Sequence, residues 1–344
     1  MKQVTLKDIA RATGVSTNTV SLALRNSPLV AAETRRRIVA RAQELGYVPN
    51  AAAQTLVTRR SGLLGFAMGD RHQFGDEILM GLVDRARAFG YDVVVSTYRG
   101  EAPHQVVQSF QRRMAEGAIL LASAADAAGL GRALTASALP SVLLLGDRPH
   151  GSLPLSTVAV DNYMGAYRAV SHLMENGHRR IGFLAGLESR PTDKARAVAD
   201  ALRDFGLPLR REWIIHGEHS VAGGRAAAVA LLDLAPEERP TAVFARTDHI
   251  ALGFVQALQE RGVRVPDEIS VIGYDGIEAG RLLTPPLTSM AYPAREIGAR
   301  AVEILRDLIA GETQVSSLLV APSLQGGGTV RTLAPKALAG IVTS

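Results

Sequence analysis

GVSTNTVSLALRN, running from Gly14 to Asn26, is a helix too small to make a core, and its reading decides what the first part of the chain is. Ser16 can cap it, because a serine oxygen takes a free N–H of the first turn. Val20, Ala23 and Leu24 form an apolar edge, and Thr17, Asn18 and Ser21 form a small polar one. Just upstream, Thr5 can cap a helix starting at Leu6, with Asp8 three residues on as in a capping box. Gly14 stands where a helix end needs a left-handed residue. Ala10, Gly14 and Val20 therefore fit a helix-turn-helix: alanine lets two helices approach, glycine makes the turn, valine plugs their shared core. Positions 17, 18, 21, 22 and 25 then lie along one exposed face, shaped to enter a DNA major groove. Asn18 suits adenine and the Thr17 methyl suits thymine, while Ser16, Ser21 and Arg25 reach phosphates or base edges.

A third helix, 32–45, follows Ser27 and Pro28 and stops at Gly46, with Ile38, Ala42 and Leu45 facing inward. In YVPNAAAQTLVTRRSG, Pro49 breaks the chain and Asn50 can cap a helix over 51–56. That is too short to be stable alone, so it is expected to fold only against a partner.

Charge points the same way. Residues 1–60 hold ten Lys/Arg and three Asp/Glu, a net +7, whereas the whole chain carries +5. A basic leader on a near-neutral body suits a polyanion, although a solvated basic surface looks the same. The 344 residues suggest two or three domains. There is no cysteine, which excludes disulfides, thiolate metal sites and cysteine nucleophiles. No secretory signal and no apolar run long enough to span a bilayer is visible, so a soluble, cytoplasmic protein with no membrane partner is expected.

At these residues the sequence resembles the lactose/purine repressor family of bacterial transcription regulators. The matching text is TLKDIARATGVSTNTVSLAL and then ETRRRIVARAQELGYVPNAAAQTL. The resemblance implies DNA contacts from Thr5, Ser16, Thr17, Asn18, Ser21, Leu22, Arg25, Asn26, Asn50, Ala53, Gln54 and Leu56. It makes Leu56 the hinge residue that wedges into the minor groove, where an apolar side chain can unstack a base step. Leu22 stands where many members carry a base-reading arginine, which leaves fewer charged base contacts.

Beyond residue 62, short apolar runs alternate with helical stretches. Strands are expected at 63–68, 91–96, 118–123, 141–146, 157–161, 180–186, 213–217, 242–245 and 270–275. Helices are expected at 77–89, 104–116, 163–176, 195–205, 224–233, 250–261 and 296–309. Such alternation implies α/β lobes, parallel sheets covered by helices on both faces. The resemblance continues through VAVDNYMGAYRAVSHLMENGHRRIGFLAG and RPTAVFARTDHIALGFVQALQERGVRVPDEISVIGYDGIEAGRLLTPPLTSM. It implies a periplasmic-binding-protein-like core of two doubly wound lobes joined by three crossings, near 161, 290–293 and 321–323. The expected organisation is a headpiece (1–48), a hinge (49–61), a first lobe (62–161 with 291–321), a second lobe (162–290 with 322–333) and a tail (334–344).

Ligands of such folds sit at the carboxyl ends of strands, between the lobes. Asp275, ending SVIGYD, matches the family's ligand-binding acid; a helix cap or a salt bridge at a crossing is the plainer reading. His219 stands where relatives often carry a stacking aromatic, and a loop histidine is equally consistent. Phe74 keeps one aromatic of a family N-P-F-F stretch. Thr247 replaces a usual asparagine, with Arg246 beside it. The family's basic, ligand-gripping residue is Arg196 counting forward from RIGFLAG and Lys194 counting back from GLPLRREW, with Arg190 in the loop; the choice stays open. Gly326–Gly328 replaces a segment that usually contains arginine, so a looser last strand is expected.

No Walker phosphate loop occurs, and the histidines of His216-Gly-Glu-His219 lack a third ligand at a supporting spacing. No catalytic residue, metal or cofactor is expected. The expected function is a sequence-specific transcriptional regulator, a repressor, binding double-stranded operator DNA as a homodimer under control of a carbohydrate effector. A solute-binding protein with the same core fold is the alternative; an enzyme on a doubly wound fold lacks an acid–base pair. The tail has no heptads, so dimers rather than tetramers are expected.

Overall fold

Helix packing in a computed structural model of the chain separates two units, Met1–Ser61 and Gly62–Ser344. The structure describes residues 4–47, 60–69, 73–98, 103–122, 127–148, 153–187 and 192–333. The expectations for Asn50, Ala53, Gln54, Leu56, Arg190 and the tail lie outside these residues.

The first unit holds α1 (Leu6–Thr13), α2 (Thr17–Leu24) and α3 (Ala32–Glu44). The α1 start is held by Asp8, whose carboxylate accepts from the Thr5 backbone N–H (2.9 Å) and the Thr5 hydroxyl (2.7 Å). Gly14 closes α1 in the left-handed region, φ 70°, and its N–H bonds back to the Ala10 carbonyl. The Ser16 oxygen accepts the Thr19 N–H at 3.0 Å and caps α2. Ile9, Val20, Ala23, Ile38 and Ala42 form the buried core. Each large aliphatic in it contributes roughly 1.5–3 kcal/mol, little in total, so the capped turns matter.

The second unit contains two six-stranded sheets. Sheet 1 has the order β11-β5-β4-β3-β1-β2 and is parallel throughout. Its strands are β1 (Leu63–Gly69), β2 (Asp92–Tyr98), β3 (Gly117–Ala122), β4 (Ser141–Leu145), β5 (Ser156–Val160) and β11 (Ser317–Val320). Sheet 2 has the order β12-β10-β9-β8-β6-β7, with only β12 antiparallel. It comprises β6 (Ile181–Ala185), β7 (Ile214–His216), β8 (Ala242–Ala245), β9 (Ser270–Asp275), β10 (Thr288–Ala291) and β12 (Ser323–Gln325). The central strands β3, β4, β6 and β8 are buried at every position, as parallel strands covered on both faces must be.

Eight helices cover the sheets: α4 (Gly75–Ala88), α5 (Pro103–Arg112), α6 (Ala127–Ser137), α7 (Asn162–Glu175), α8 (Asp193–Asp204), α9 (Val221–Leu232), α10 (Asp248–Glu260) and α11 (Ala294–Ile309). Three short crossings join the sheets. Asp161 lies between β5 and α7, which packs on Phe183, Phe244 and Tyr274 of sheet 2. Tyr292 and Pro293 lie between β10 and α11, which returns to Ile119 and Leu144 of sheet 1. Ala321 and Pro322 lie between β11 and β12. None of the described helices is long and apolar enough to cross a membrane.

The nine expected strands form, most with ends displaced by a residue or two. Helix α6 and strands β10, β11 and β12 are additions that sequence periodicity did not mark. These three strands have only three or four residues each, too few to show an alternation. The segment after β12 is not loose. Thr329 is buried, its hydroxyl donates to the Val271 carbonyl (2.7 Å), and the Thr288 N–H donates to the same hydroxyl (2.9 Å). The Gly328 N–H bonds the Pro286 carbonyl at 2.7 Å.

Inside the first lobe α4 and α11 touch backbone to backbone. A Cβ on Gly81 would collide with the Arg295 carbonyl, and one on Gly298 with the Ile78 carbonyl. Alanine is the better helix former by ~1 kcal/mol, yet here its methyl would drive the helices apart. Gly298→Ala is therefore expected to lower the unfolding free energy by about 1–3 kcal/mol, the usual range for overpacking. Urea unfolding followed by circular dichroism checks it, and an unchanged or raised midpoint would contradict the reciprocal glycine contact.

Candidate functional site

On the first unit, α2 presents Thr17 and Asn18 to solvent, and among the described residues neither makes a side-chain hydrogen bond. They are exposed donors and acceptors at the start of a helix, the position from which a recognition helix reads base edges. Their neighbours are more committed. Ser16 caps α2. The Arg25 guanidinium donates to the Ser21 hydroxyl at 2.9 Å. Asn26 is left-handed, φ 57°, and its side-chain oxygen accepts from Arg35, which orders the turn before α3. Ser21 and Leu22 are half-buried rather than exposed, and Leu22 packs against the small core. A two-turn helix has too few positions to give that core a face without drawing in Leu22.

In the second unit, the carboxyl ends of both sheets bring a second group together. Asp275 ends β9 with φ 120°, a conformation that strains any residue but glycine. Its carbonyl accepts the Tyr292 N–H at 2.9 Å. Burial raises its pKa to about 7, against the opposing pull of the Lys194 charge; the nearby Asp248 raises it further.

Lys194 lies in the first turn of α8, only 9% exposed. Its ammonium donates to the Arg246 carbonyl (3.0 Å) and sits 3.4 Å from the centre of the Tyr274 ring. Among the described residues it forms no ion pair with a carboxylate. Burial lowers its pKa, and the charges of Asp275, Asp147 and Asp248 pull it back up. A buried ammonium with one hydrogen bond retains donors for a ligand.

Arg196 does not join this group. Its guanidinium pairs with Asp193 on the exposed side of α8. Two residues along a helix turn the side chain through roughly 200°, so Lys194 and Arg196 cannot face the same cleft. Thr247 is the N-cap of α10, its hydroxyl accepting the Ile250 N–H at 3.4 Å. Arg246, half-buried, has its pKa lowered by burial and raised by Asp147 and Asp275, so it shares their field. The exposed His219 imidazole has its pKa lowered, first by desolvation and then by the charge of Lys194. His216 bonds the Gly186 carbonyl at 2.9 Å. Among the described residues no three His, Asp or Glu side chains gather as a metal group would.

Phe74, just before α4, stacks on Tyr292 with ring centres 4.2 Å apart and planes 7° from parallel. Tyr292 lies in the crossing expected at 290–293, although the sequence did not single out the residue itself. Asp147 and Asn162 were missed as well: the Asn162 side-chain N–H donates to Asp147 (2.5 Å) and to the Gly146 carbonyl (2.8 Å). Asp161-Asn162 opening a helix was the available signal. Asp248, buried, accepts from the Ser289 hydroxyl (2.7 Å) and the Ile277 N–H (2.9 Å), and so fixes the loop that follows Asp275.

The raised Asp275 pKa has a sign. The unfolded chain loses this proton near pH 3.8, the folded one only at about 7. Between those values the folded state binds more protons, so its stability falls as pH rises, and levels off above 7. Asp275→Asn removes the effect. The stability of that variant relative to the parent is expected to grow by roughly 2 kcal/mol from about pH 5 to pH 7. Denaturant titrations at several pH values read this, and a difference constant with pH would refute it.

Residues 5–50 match the family described as bacterial regulatory proteins, lacI family, and residues 170–330 match a periplasmic binding protein-like domain. The chain is 30% identical over 325 residues to catabolite control protein A of Priestia megaterium, which covers 93% of this chain and 96% of that one. It is 32% identical over 313 residues to the HTH-type transcriptional repressor PurR of Photobacterium profundum, covering 89% and 92%. The crystal structure of the lac repressor dimer bound to operator and the anti-inducer ONPF superposes with a TM-score of 0.75 at 29% identity, over 96% of this chain and 100% of that one. With its helix-turn-helix unit and its two α/β lobes, this chain belongs to the lacI family of bacterial regulatory proteins and is a DNA-binding transcriptional regulator.

Proposed function

We propose that this regulator is a cytoplasmic homodimeric repressor whose grip on a near-palindromic operator is set by a small polyhydroxylated effector, a sugar or sugar derivative, bound between its lobes. The observation that carries this reading is the separation of Lys194 and Asp275. Both are desolvated, each lies in the other's field, and they are not in contact. A vicinal diol fits such a gap: one hydroxyl oxygen accepts from the ammonium, and a hydroxyl proton goes to the carboxylate. The Phe74–Tyr292 stack offers the flat apolar wall against which a sugar ring packs. A regulator named CelR, 28% identical to this chain with a TM-score of 0.65, was solved as a cellobiose complex, in keeping with a carbohydrate here.

On DNA, Thr17 and Asn18 read bases, with Ser16, Ser21, Leu22, Arg25, Asn26 and Thr5 at the groove edges. Leu56 takes the minor-groove wedge, with Asn50, Ala53 and Gln54 beside it, on the strength of the family resemblance. Two half-sites about one helical turn apart match a two-fold dimer.

Two substitutions separate the parts. Asn18→Ala removes a bidentate partner for adenine and is expected to weaken operator binding about 5- to 150-fold, with non-specific duplex affinity unchanged. Asp275→Ala is expected to keep operator binding while abolishing the response to the sugar that binds the parent. Fluorescence anisotropy with labelled operator, and calorimetry against a sugar panel, measure both. An Asp275→Ala protein that still responds normally would move the effector elsewhere.

A further inference from the structure

The last two residues of β9 lie beside the connections between the lobes. Tyr274 is fully buried, and its hydroxyl donates to the Asn162 side-chain oxygen at 2.7 Å. Asn162 is the first residue of α7, next to the first crossing. Its side-chain N–H group reaches into the other lobe, to Asp147 Oδ1 (2.5 Å) and the Gly146 carbonyl (2.8 Å), just past β4 of sheet 1. At the second crossing the Tyr292 N–H donates to the Asp275 carbonyl. At the third, a Cβ on Gly165 would lie 2.5 Å from the Tyr274 hydroxyl and 2.8 Å from Pro322 Cγ, so phenol and proline share one small surface. The pair Tyr274-Asp275 therefore adjoins all three connections between the lobes.

On the other side of the same ring sits Lys194, its ammonium 3.4 Å from the centre. One aromatic ring thus holds the cation of the cleft on its face and the hinge amide on its edge. We propose that Tyr274 and Asn162 are positioning residues that convert occupancy of the cleft into a change of angle between the lobes, through the relay Lys194–Tyr274–Asn162–Asp147. The inference rests on the effector reading above. A ligand acceptor that engages the ammonium competes with the ring for it, and the ring settles into a new position. Asn162 has no slack with which to absorb this. Its amide is engaged at both ends, by the phenol on one side and by Asp147 and Gly146 on the other. A shift of the phenol either drags Gly146–Asp147 with it or breaks the contact across the lobes, and each changes the preferred angle. Coupling is carried here by a contiguous set of short hydrogen bonds that runs from the cation to the other lobe.

The absence of cysteine makes the test clean. Ala136→Cys on α6 of the first lobe and Ala226→Cys on α9 of the second are exposed positions for spin labels. Labelled full-length chains are diluted with unlabelled protein, and the interlobe distance distribution is measured by pulsed electron paramagnetic resonance without effector. Tyr274→Phe keeps the ring under Lys194 and removes only the hydroxyl; it is expected to broaden or shift the distribution and to change operator affinity several-fold. Asp147→Ala, at an exposed residue, is expected to do the same and carries the test if Tyr274→Phe folds poorly. Asp147→Asn, whose amide oxygen still accepts from Asn162, is expected to restore the parent distribution. Distributions that superimpose across all four proteins overturn the relay. So does a lowered unfolding midpoint with unchanged distances, since that is what a purely structural bond would give. Because no effector is added, the relay can fail while sugar binding at Asp275 stands, and it can stand if the sugar panel finds no ligand.

Discussion

An ammonium and a carboxylate, both stripped of most of their water and held apart, are the constraint on which the second unit turns. Lys194 and Asp275 each stand away from ordinary values because burial disfavours their charged forms, and their mutual attraction only partly offsets this. Direct pairing would have satisfied both charges at once. The scaffold keeps them separate. Lys194 is anchored by the Arg246 carbonyl and the Tyr274 ring, and Asp275 by a strained backbone whose carbonyl accepts the Tyr292 N–H. Two buried charged groups held in this way keep unmet hydrogen-bonding capacity.

Holding two charges apart needs rigid walls, and the lobes supply them. Fully buried parallel strands leave no freedom of register, because slipping one residue would turn the apolar set outward. Glycine contacts between α4 and α11 bring backbones together where side chains would leave room to slide. Three crossings of one or two residues each join the lobes. Short connections of this kind are where two-lobed folds hinge, and groups beside them have most influence on the angle.

The first unit solves a different problem. Its core is small, and stability comes as much from the Thr5–Asp8 pair, the Gly14 turn and the Ser16 cap as from burial. Among the described residues Thr17 and Asn18 make no side-chain hydrogen bond, which costs nothing at exposed positions. The basic residues gathered in the first sixty positions supply the sequence-independent attraction to phosphate that brings such a surface to DNA.

Local patterns in the sequence determined the helix-turn-helix, its caps, nine of the strands and the α/β class, because each depends on residues within a turn or a strand of one another. Asp275 was legible too, as the acid ending an apolar strand. Which of Lys194 and Arg196 is buried was not, since it turns on the phase of α8, and that phase is set by where Thr192 caps the helix. Thr247, expected at the effector site, caps α10, a role its sequence neighbours also allow. Asp147, Asn162 and Tyr292 were silent because their partners are remote along the chain: Tyr274 lies 112 residues from Asn162. Strands of three or four residues at the crossings carry no periodicity of their own and exist only because a sheet edge is there to receive them. Periodicity reports which face of an element is buried. Only the tertiary structure decides which polar groups from distant elements meet at the ends of the strands, and that meeting makes the cleft and its hinge one piece of chemistry.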